Sequence, residues 1–156
     1  MSDHIYHATV VWQRQNDEKF IDNKFSRAHT WGFDEGVEVP ASASPFVLPP
    51  PLSRLDAVDP EEALIASLSS CHMLFFLYRA ARAGLVVDRY EDAPEAAMGK
   101  TPEGRTFVET ITLRPRIVWA GNPPSHEQLE ELHEKAHTDC YIGNSLLSKI
   151  LVEPRE

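Results

Sequence analysis

The sequence predicts a single α+β domain over residues 1–156, with antiparallel sheet packed on two helices. Three observations predict it. The length of 156 residues is close to the roughly 150 of one ordinary domain. Two capping-box signatures, at Asp59 and Ser125, open the two segments with helical periodicity. Around them lie segments of strand character, in the order strands, helix, strands, helix, strand. Apolar residues make up 42% and charged residues 25%, a globular balance rather than a disordered or fibrous one.

From Ile5 to Gln15 apolar and polar residues partly alternate around Val10, Val11 and Trp12, which predicts a strand. Gln15-Asn16-Asp17-Glu18 reads as a turn, and Lys19 to Phe25 as a returning strand. His29 to Phe33 and Val37 to Val39 flank Asp34-Glu35-Gly36, a short hairpin signal. Pro40, Pro45, Pro49, Pro50 and Pro51 follow within twelve residues. Proline lacks the ladder donor, so this passage is expected to be extended and irregular, wrapping a surface or another subunit.

The first helix is predicted from Asp59 as cap, with Pro60 at the first helical position and Glu62 completing the capping box. It runs to about Ala83, where Gly84 supplies the left-handed stop. Leu64, Leu68, Cys71, Phe75 and Tyr78 follow one face, Ile65, His72 and Phe76 the next, and Leu74 and Leu77 extend the apolar coverage. A helix apolar nearly all round is expected at the centre of its protein. Its longest apolar run, Ala63 to Tyr78, stops at Arg79, short of the ~20 residues that cross a bilayer, so no membrane partner is expected.

Val86 to Tyr90 and Ala96 to Lys100 read as strands leading to the turn Thr101-Pro102-Glu103-Gly104. Thr106 to Trp119 reads as one long strand, with Pro115 marking an edge position or a bulge. Ser125 and Gln128 form the second capping box, opening a helix through Leu129, Leu132 and Ala136 toward Cys140. Lys149 to Val152 closes the chain as a short strand.

Charge and cysteine usage bound the function. With 15 basic against 24 acidic residues the formal net charge is −9, a field that repels a phosphate backbone and argues against a nucleic-acid partner. Met1-Ser2-Asp3-His4 has neither a basic start nor an apolar segment, so no secretory signal is expected and the expected setting is the cytosol. The only cysteines are Cys71 and Cys140, 69 positions apart and in no Cys-x-x-Cys pair. In a reducing compartment they are either two inert core thiols or one redox couple.

At these positions the sequence resembles the OsmC/Ohr family of thiol-dependent peroxidases. The segments that carry the resemblance are Asp59-Pro60-Glu61-Glu62-Ala63-Leu64 through Ser69-Ser70-Cys71, and Ala136-His137-Thr138-Asp139-Cys140. The family opens its central helix with an Asn-Pro-Glu type start ten residues before its reactive cysteine, an interval that Glu61 and Cys71 keep. Its second cysteine lies in a later helix after an Ala-His type pair, matching Cys140. The resemblance implies an OsmC-like fold in which antiparallel sheets pack on a central buried cysteine-bearing helix and a second C-terminal helix. It also implies an intertwined homodimer with active sites at the subunit interface. Two departures place the chain in a separate OsmC-like subgroup: Tyr141 stands where the family often has proline, and Phe25 to Trp31 matches neither main branch closely.

The same resemblance implies a chemistry. Only the thiolate attacks the O–O bond of a peroxide, and burial opposes its formation, so a buried cysteine needs a compensating positive charge. The family supplies an arginine oriented by a glutamate; Arg27 is the preferred match, Arg54 the other candidate, and Glu61 the glutamate. Ten residues of straight helix rise about 15 Å, so Glu61 joins Cys71 only across a bend or from another subunit. As a first-turn acid, Glu61 alternatively stabilises the helix dipole by at most ~1 kcal/mol. His72 points about 100° away from its neighbour Cys71 and reads as core packing.

The implied cycle starts with a Cys71 sulfenic acid, condensed by Cys140 to a disulfide that an external dithiol reduces, with no metal, haem or flavin cofactor. Met73, Leu74, Phe75 and Phe76 give an apolar surrounding that favours organic hydroperoxides. Two other readings compete. His133, His137 and Cys140 stand at i, i+4 and i+7, a spacing that can present metal ligands on one helix face, although Leu129, Leu132 and Ala136 claim the buried face and leave His133 to solvent. The second is a noncatalytic redox sensor or small apolar-ligand binder that keeps the fold.

Overall fold

The computed structural model describes residues 4–15 and 17–155. Met1 to Asp3, read above for a targeting signal, and Asn16, in the first predicted turn, lie outside the described residues. The chain divides into two compact units between Ala63 and Leu64.

The N-terminal unit holds a three-stranded antiparallel sheet of β1 (Thr9–Val11), β2 (His29–Gly32) and β3 (Glu38–Ala41), with β2 central. Val10 pairs with Trp31, which pairs in turn with Val39. The hairpin between β2 and β3 turns through Glu35 and Gly36, at φ 56° and 76°, and Phe33 N–H closes it on the Val37 carbonyl at 2.8 Å. Lys19 to Phe25 is not the strand that its composition predicts. It forms a single 3-10 turn, Phe20–Asp22, stopped by Asn23 in the left-handed region. The cause is an aromatic cluster: the Phe20 and Phe25 rings stack at 4.6 Å, with Trp12 edge-on to Phe25 at 5.3 Å, so the segment folds on itself. The proline-rich passage is irregular as expected, returning at Val58, whose N–H donates to the Pro40 carbonyl at 3.0 Å.

Helix α1 spans Pro60–Arg82. Its capping box is formed: Glu62 N–H donates to the Asp59 carboxylate at 2.8 Å, and Asp59 N–H to the Glu62 carboxylate at 3.3 Å. At the other end Gly84, at φ 73°, lets its own N–H reach the Ala81 carbonyl and the Leu85 N–H the Ala80 carbonyl, both at 3.0 Å. The buried stripe is Leu68, His72, Phe76 and Ala80, one residue per turn. Leu74 and Tyr78 stand exposed, so α1 buries one face and not its whole circumference, contrary to the reading from composition. The helix has the length and apolar content of a membrane-crossing segment, yet that stripe packs into both core clusters of the C-terminal unit.

The C-terminal unit adds β4 (Val87–Glu91), β5 (Glu95–Lys100), β6 (Thr106–Leu113), β7 (Arg116–Trp119), α2 (His126–Asp139) and β8 (Lys149–Val152). The predicted long strand from Thr106 to Trp119 divides at Arg114 and Pro115, and its halves join different sheets. Pro115 has no N–H, and Arg114 spends its own on the Asp92 carboxylate at 2.6 Å, so neither continues a ladder. Strand β7 pairs antiparallel with β4, and β5 antiparallel with β6. Strand β8 pairs parallel with β6, a departure from the expected all-antiparallel arrangement. The chain returns to the sheet by way of α2, and a helical crossover brings a strand back in the parallel sense. The capping box of α2 is present in both directions between Ser125 and Gln128.

Candidate thiol site

Cys71 lies midway along α1, half-buried, one residue before the core stripe. Cys140 follows the last residue of α2 and caps it with extended backbone, at φ −69° and ψ 105°. Its side chain is buried in the cluster of Leu68, Ile111 and Leu113, against which Cys71 also packs. The two thiols thus share one apolar cluster. Burial pushes the Cys140 thiol up to about 11; a hydrogen bond from Gly143 N–H, at 3.3 Å to the sulfur, pulls the other way, and the Cys71 thiol, as hydrogen-bond partner and as charge, pushes it up again. Both cysteines are free thiols.

An apolar groove of about 540 Å³ lies over Cys71, walled by Leu74, Phe75, Tyr78 and Tyr141, with Ser67 and Ser70 as its polar edge. Helical spacing explains the wall, since Ser67, Leu74, Phe75 and Tyr78 stand three, four or seven residues from Cys71. Tyr141 meets the Phe75 ring edge-on at 5.1 Å and is itself mostly exposed.

The other expected site residues lie in the N-terminal unit. Arg27 donates to the Asn23 side chain at 2.6 Å and to the Phe25 carbonyl, with its guanidinium 3.5 Å above the Phe25 ring. Glu61 is exposed in the first turn of α1 and makes no ion pair among the described residues. Arg54 is engaged with Asp56 at 2.8 and 2.7 Å, on the surface.

His72 is core, as its spacing implies, but His133 is not solvated: both are buried, 1% and 5% exposed. His72 Nε2 and His133 Nδ1 stand 3.0 Å apart, with the rings nearly parallel. Burial is the first cause that holds His72 down to about 4 and His133 to about 3, so the pair is neutral at pH 7. No group of three metal-ligating side chains comes together among the described residues. His133 turns to His72, while Cys140 turns to Cys71 and Gly143. The histidine pair escaped the sequence analysis because its halves are 61 positions apart; the signal available was His72 inside the i+4 stripe Leu68, Phe76 and Ala80. A further tie between the helices, Arg79 to Asp139, was equally unread.

Mixed sheets and two helices define an α+β protein whose two cysteines pack in one apolar cluster, with Cys71 opening on an apolar groove. The chain belongs to the OsmC-like protein family, whose model matches residues 53–155. Among solved structures it is similar to an OsmC-like protein of unknown function from Vibrio cholerae, with 46% identity, a TM-score of 0.95, and coverage of 99% of this chain and 100% of that one. It also resembles in fold an organic hydroperoxide resistance protein OsmC from Legionella pneumophila, with 17% identity and a TM-score of 0.66, over 99% and 97% of the two chains. The organic hydroperoxide resistance protein OhrB of Bacillus subtilis is comparable, with 16% identity and a TM-score of 0.65, over 96% and 98%. No curated protein matches the sequence.

Proposed function

We propose that the protein is a thiol-dependent hydroperoxide reductase acting on organic hydroperoxides. The Cys71 thiolate attacks the peroxide O–O bond, leaving an alcohol and a Cys71 sulfenic acid. The Cys140 thiol displaces the sulfenic oxygen as water, giving a Cys71–Cys140 disulfide, and an external dithiol reduces it by exchange. The observation that carries this reading is the packing of two cysteines, 69 positions apart in sequence, into one apolar cluster, with Cys71 opening on an apolar groove. Arg27, oriented by Glu61, stabilises the thiolate and the charge developing on the peroxide oxygen, the roles that the family resemblance assigns to them. A homodimer in the cytosol is the proposed working form, with the exposed Leu74 and Tyr78 face of α1 as part of its interface.

The test is a thiol titration before and after one equivalent of cumene hydroperoxide. Two thiols are lost together in the wild type, none in Cys71→Ser, and Cys140→Ser stops at a Cys71 sulfenic acid that a second equivalent carries on to sulfinic acid. Persistence of both wild-type thiols, or full peroxidase activity in Cys71→Ser, refutes the proposal. The groove's lining supports a second reading, a noncatalytic redox sensor or binder of small apolar molecules. That reading gains if every hydroperoxide turns over slowly and the purified protein carries an apolar molecule.

A further inference from the structure

We infer that His72 and His133 form a positioning pair that holds Cys71 and Cys140 at the spacing their disulfide requires. The inference rests on the two-cysteine cycle proposed above and concerns its second step.

Each histidine shares a helix with one sulfur. His72 directly follows Cys71 on α1, and His133 stands seven residues before Cys140 on α2. Between them runs one hydrogen bond of 3.0 Å, with ring planes 8° apart and centroids at 5.3 Å. Phe76 stacks on His133 at 4.5 Å and closes the pair off from water. The outer nitrogens, His72 Nδ1 and His133 Nε2, have no partner among the described residues. Each ring therefore depends on the other for its hydrogen bond.

That dependence fixes register. Apolar contacts are non-directional and tolerate a helix sliding against its neighbour, whereas a hydrogen bond weakens steeply with misalignment. A slip of α1 along α2 would leave two buried imidazoles unsatisfied, a penalty that Leu or Phe at the same positions would not impose. The hydrogen bond thus sets the axial position of the helices, and with it the separation of the sulfurs that they carry.

The device has a defined proton state. One proton lies between the facing nitrogens, and protonating both rings sets N–H against N–H. The groups that act on the pair are His137 on α2, which opposes protonation of His72, and Asp92 beyond β4, which favours it. Tyr90 on β4 presents a buried hydroxyl to the same cluster and stays neutral.

Two double variants test the inference. In His72→Leu/His133→Leu the space is filled and the directional bond is gone. In His72→Gln/His133→Asn the amides take the places of Nε2 and Nδ1 and keep a hydrogen bond without a titrating ring. After one equivalent of cumene hydroperoxide, dimedone trapping measures Cys71 sulfenic acid and quenched mass analysis measures disulfide. We expect the leucine pair to form sulfenic acid at the wild-type rate but disulfide at least tenfold more slowly, with the dimedone adduct accumulating. The amide pair restores disulfide formation to within threefold of wild type. A folded leucine variant that closes the disulfide at the wild-type rate, or an amide pair as slow as the leucine pair, overturns the inference. Diamide, a diazene that takes two electrons and two protons from two thiols, closes the same bond without peroxide. A wild type that reacts with diamide and not with hydroperoxide, with the leucine pair slow toward diamide, would refute the peroxidase reading and sustain this one.

Discussion

Arg79 of α1 holds the carboxylate of Asp139, the last residue of α2 and the neighbour of Cys140, with its Nε donating at 2.9 Å. This ion pair and the histidine pair are two polar ties between the same helices, and each includes a residue adjacent in sequence to a cysteine: His72 beside Cys71, Asp139 beside Cys140. The framework around the thiols is therefore specified by directional contacts as well as by apolar packing.

The Arg79–Asp139 pair is about one-third exposed on each side, between the regimes in which ion pairs contribute little and in which breaking one is severe. Asp139→Ala is expected to destabilise the protein by about 1–2 kcal/mol, read from urea unfolding midpoints. A cycle with Arg79→Ala should show coupling of about 1 kcal/mol between the two side chains; strict additivity would show that the pair adds nothing.

Acid stability follows from the histidine pair. Both rings are held low by burial, to about 4 and about 3, while an unfolded chain binds their protons near 6.5. A depressed base stabilises the fold fully above the unfolded value and loses that contribution as pH falls from there toward the folded values. Between pH 7 and 5 the unfolding free energy should drop by about 2–4 kcal/mol, and most of that drop should disappear in His72→Gln/His133→Asn. An equal acid dependence in the variant would assign the effect to other groups.

Thiol reactivity should be unequal. Cys140 is buried and its thiol is pushed up to about 11, whereas Cys71 opens on the groove. Iodoacetamide at pH 7.5 is expected to label Cys71 alone in the native protein. In Cys71→Ser, labelling of Cys140 should become appreciable only toward pH 10, followed by mass analysis of the alkylated protein.

Gly84 tests backbone conformation in isolation. Its φ is 73°, and a Cβ there would meet no atom within 4 Å. Gly84→Ala should cost about 1 kcal/mol through left-handed strain alone, visible as a lower melting temperature with the thiol chemistry unchanged.

Much of this architecture was legible locally. Both capping boxes, the Gly84 stop and β8 are written in short stretches whose chemistry is self-contained. Where local reading failed, distant partners decided. Lys19 to Phe25 has strand composition, but Trp12 draws its aromatic rings into a cluster. Thr106 to Trp119 alternates like one strand, but Arg114 N–H goes to Asp92, 22 positions away. His133 carries no sign of burial beyond its place beside Leu132 and Ala136, because its partner belongs to another helix. Cys71 was picked out by its interval from Glu61 and Cys140 by the Ala136-His137 pair before it, while their meeting in one cluster depends on how α1 and α2 pack.

Cys71 is locked within continuous helix, whereas Cys140 stands at the end of α2, with its N–H on the His137 carbonyl at 3.3 Å and its own carbonyl accepting from Asn144 N–H at 2.9 Å. Any approach of the two sulfurs is thus lopsided. One atom serves as a stationary post, and the other sits at a helix terminus, where a shift loosens two backbone links instead of unwinding a turn.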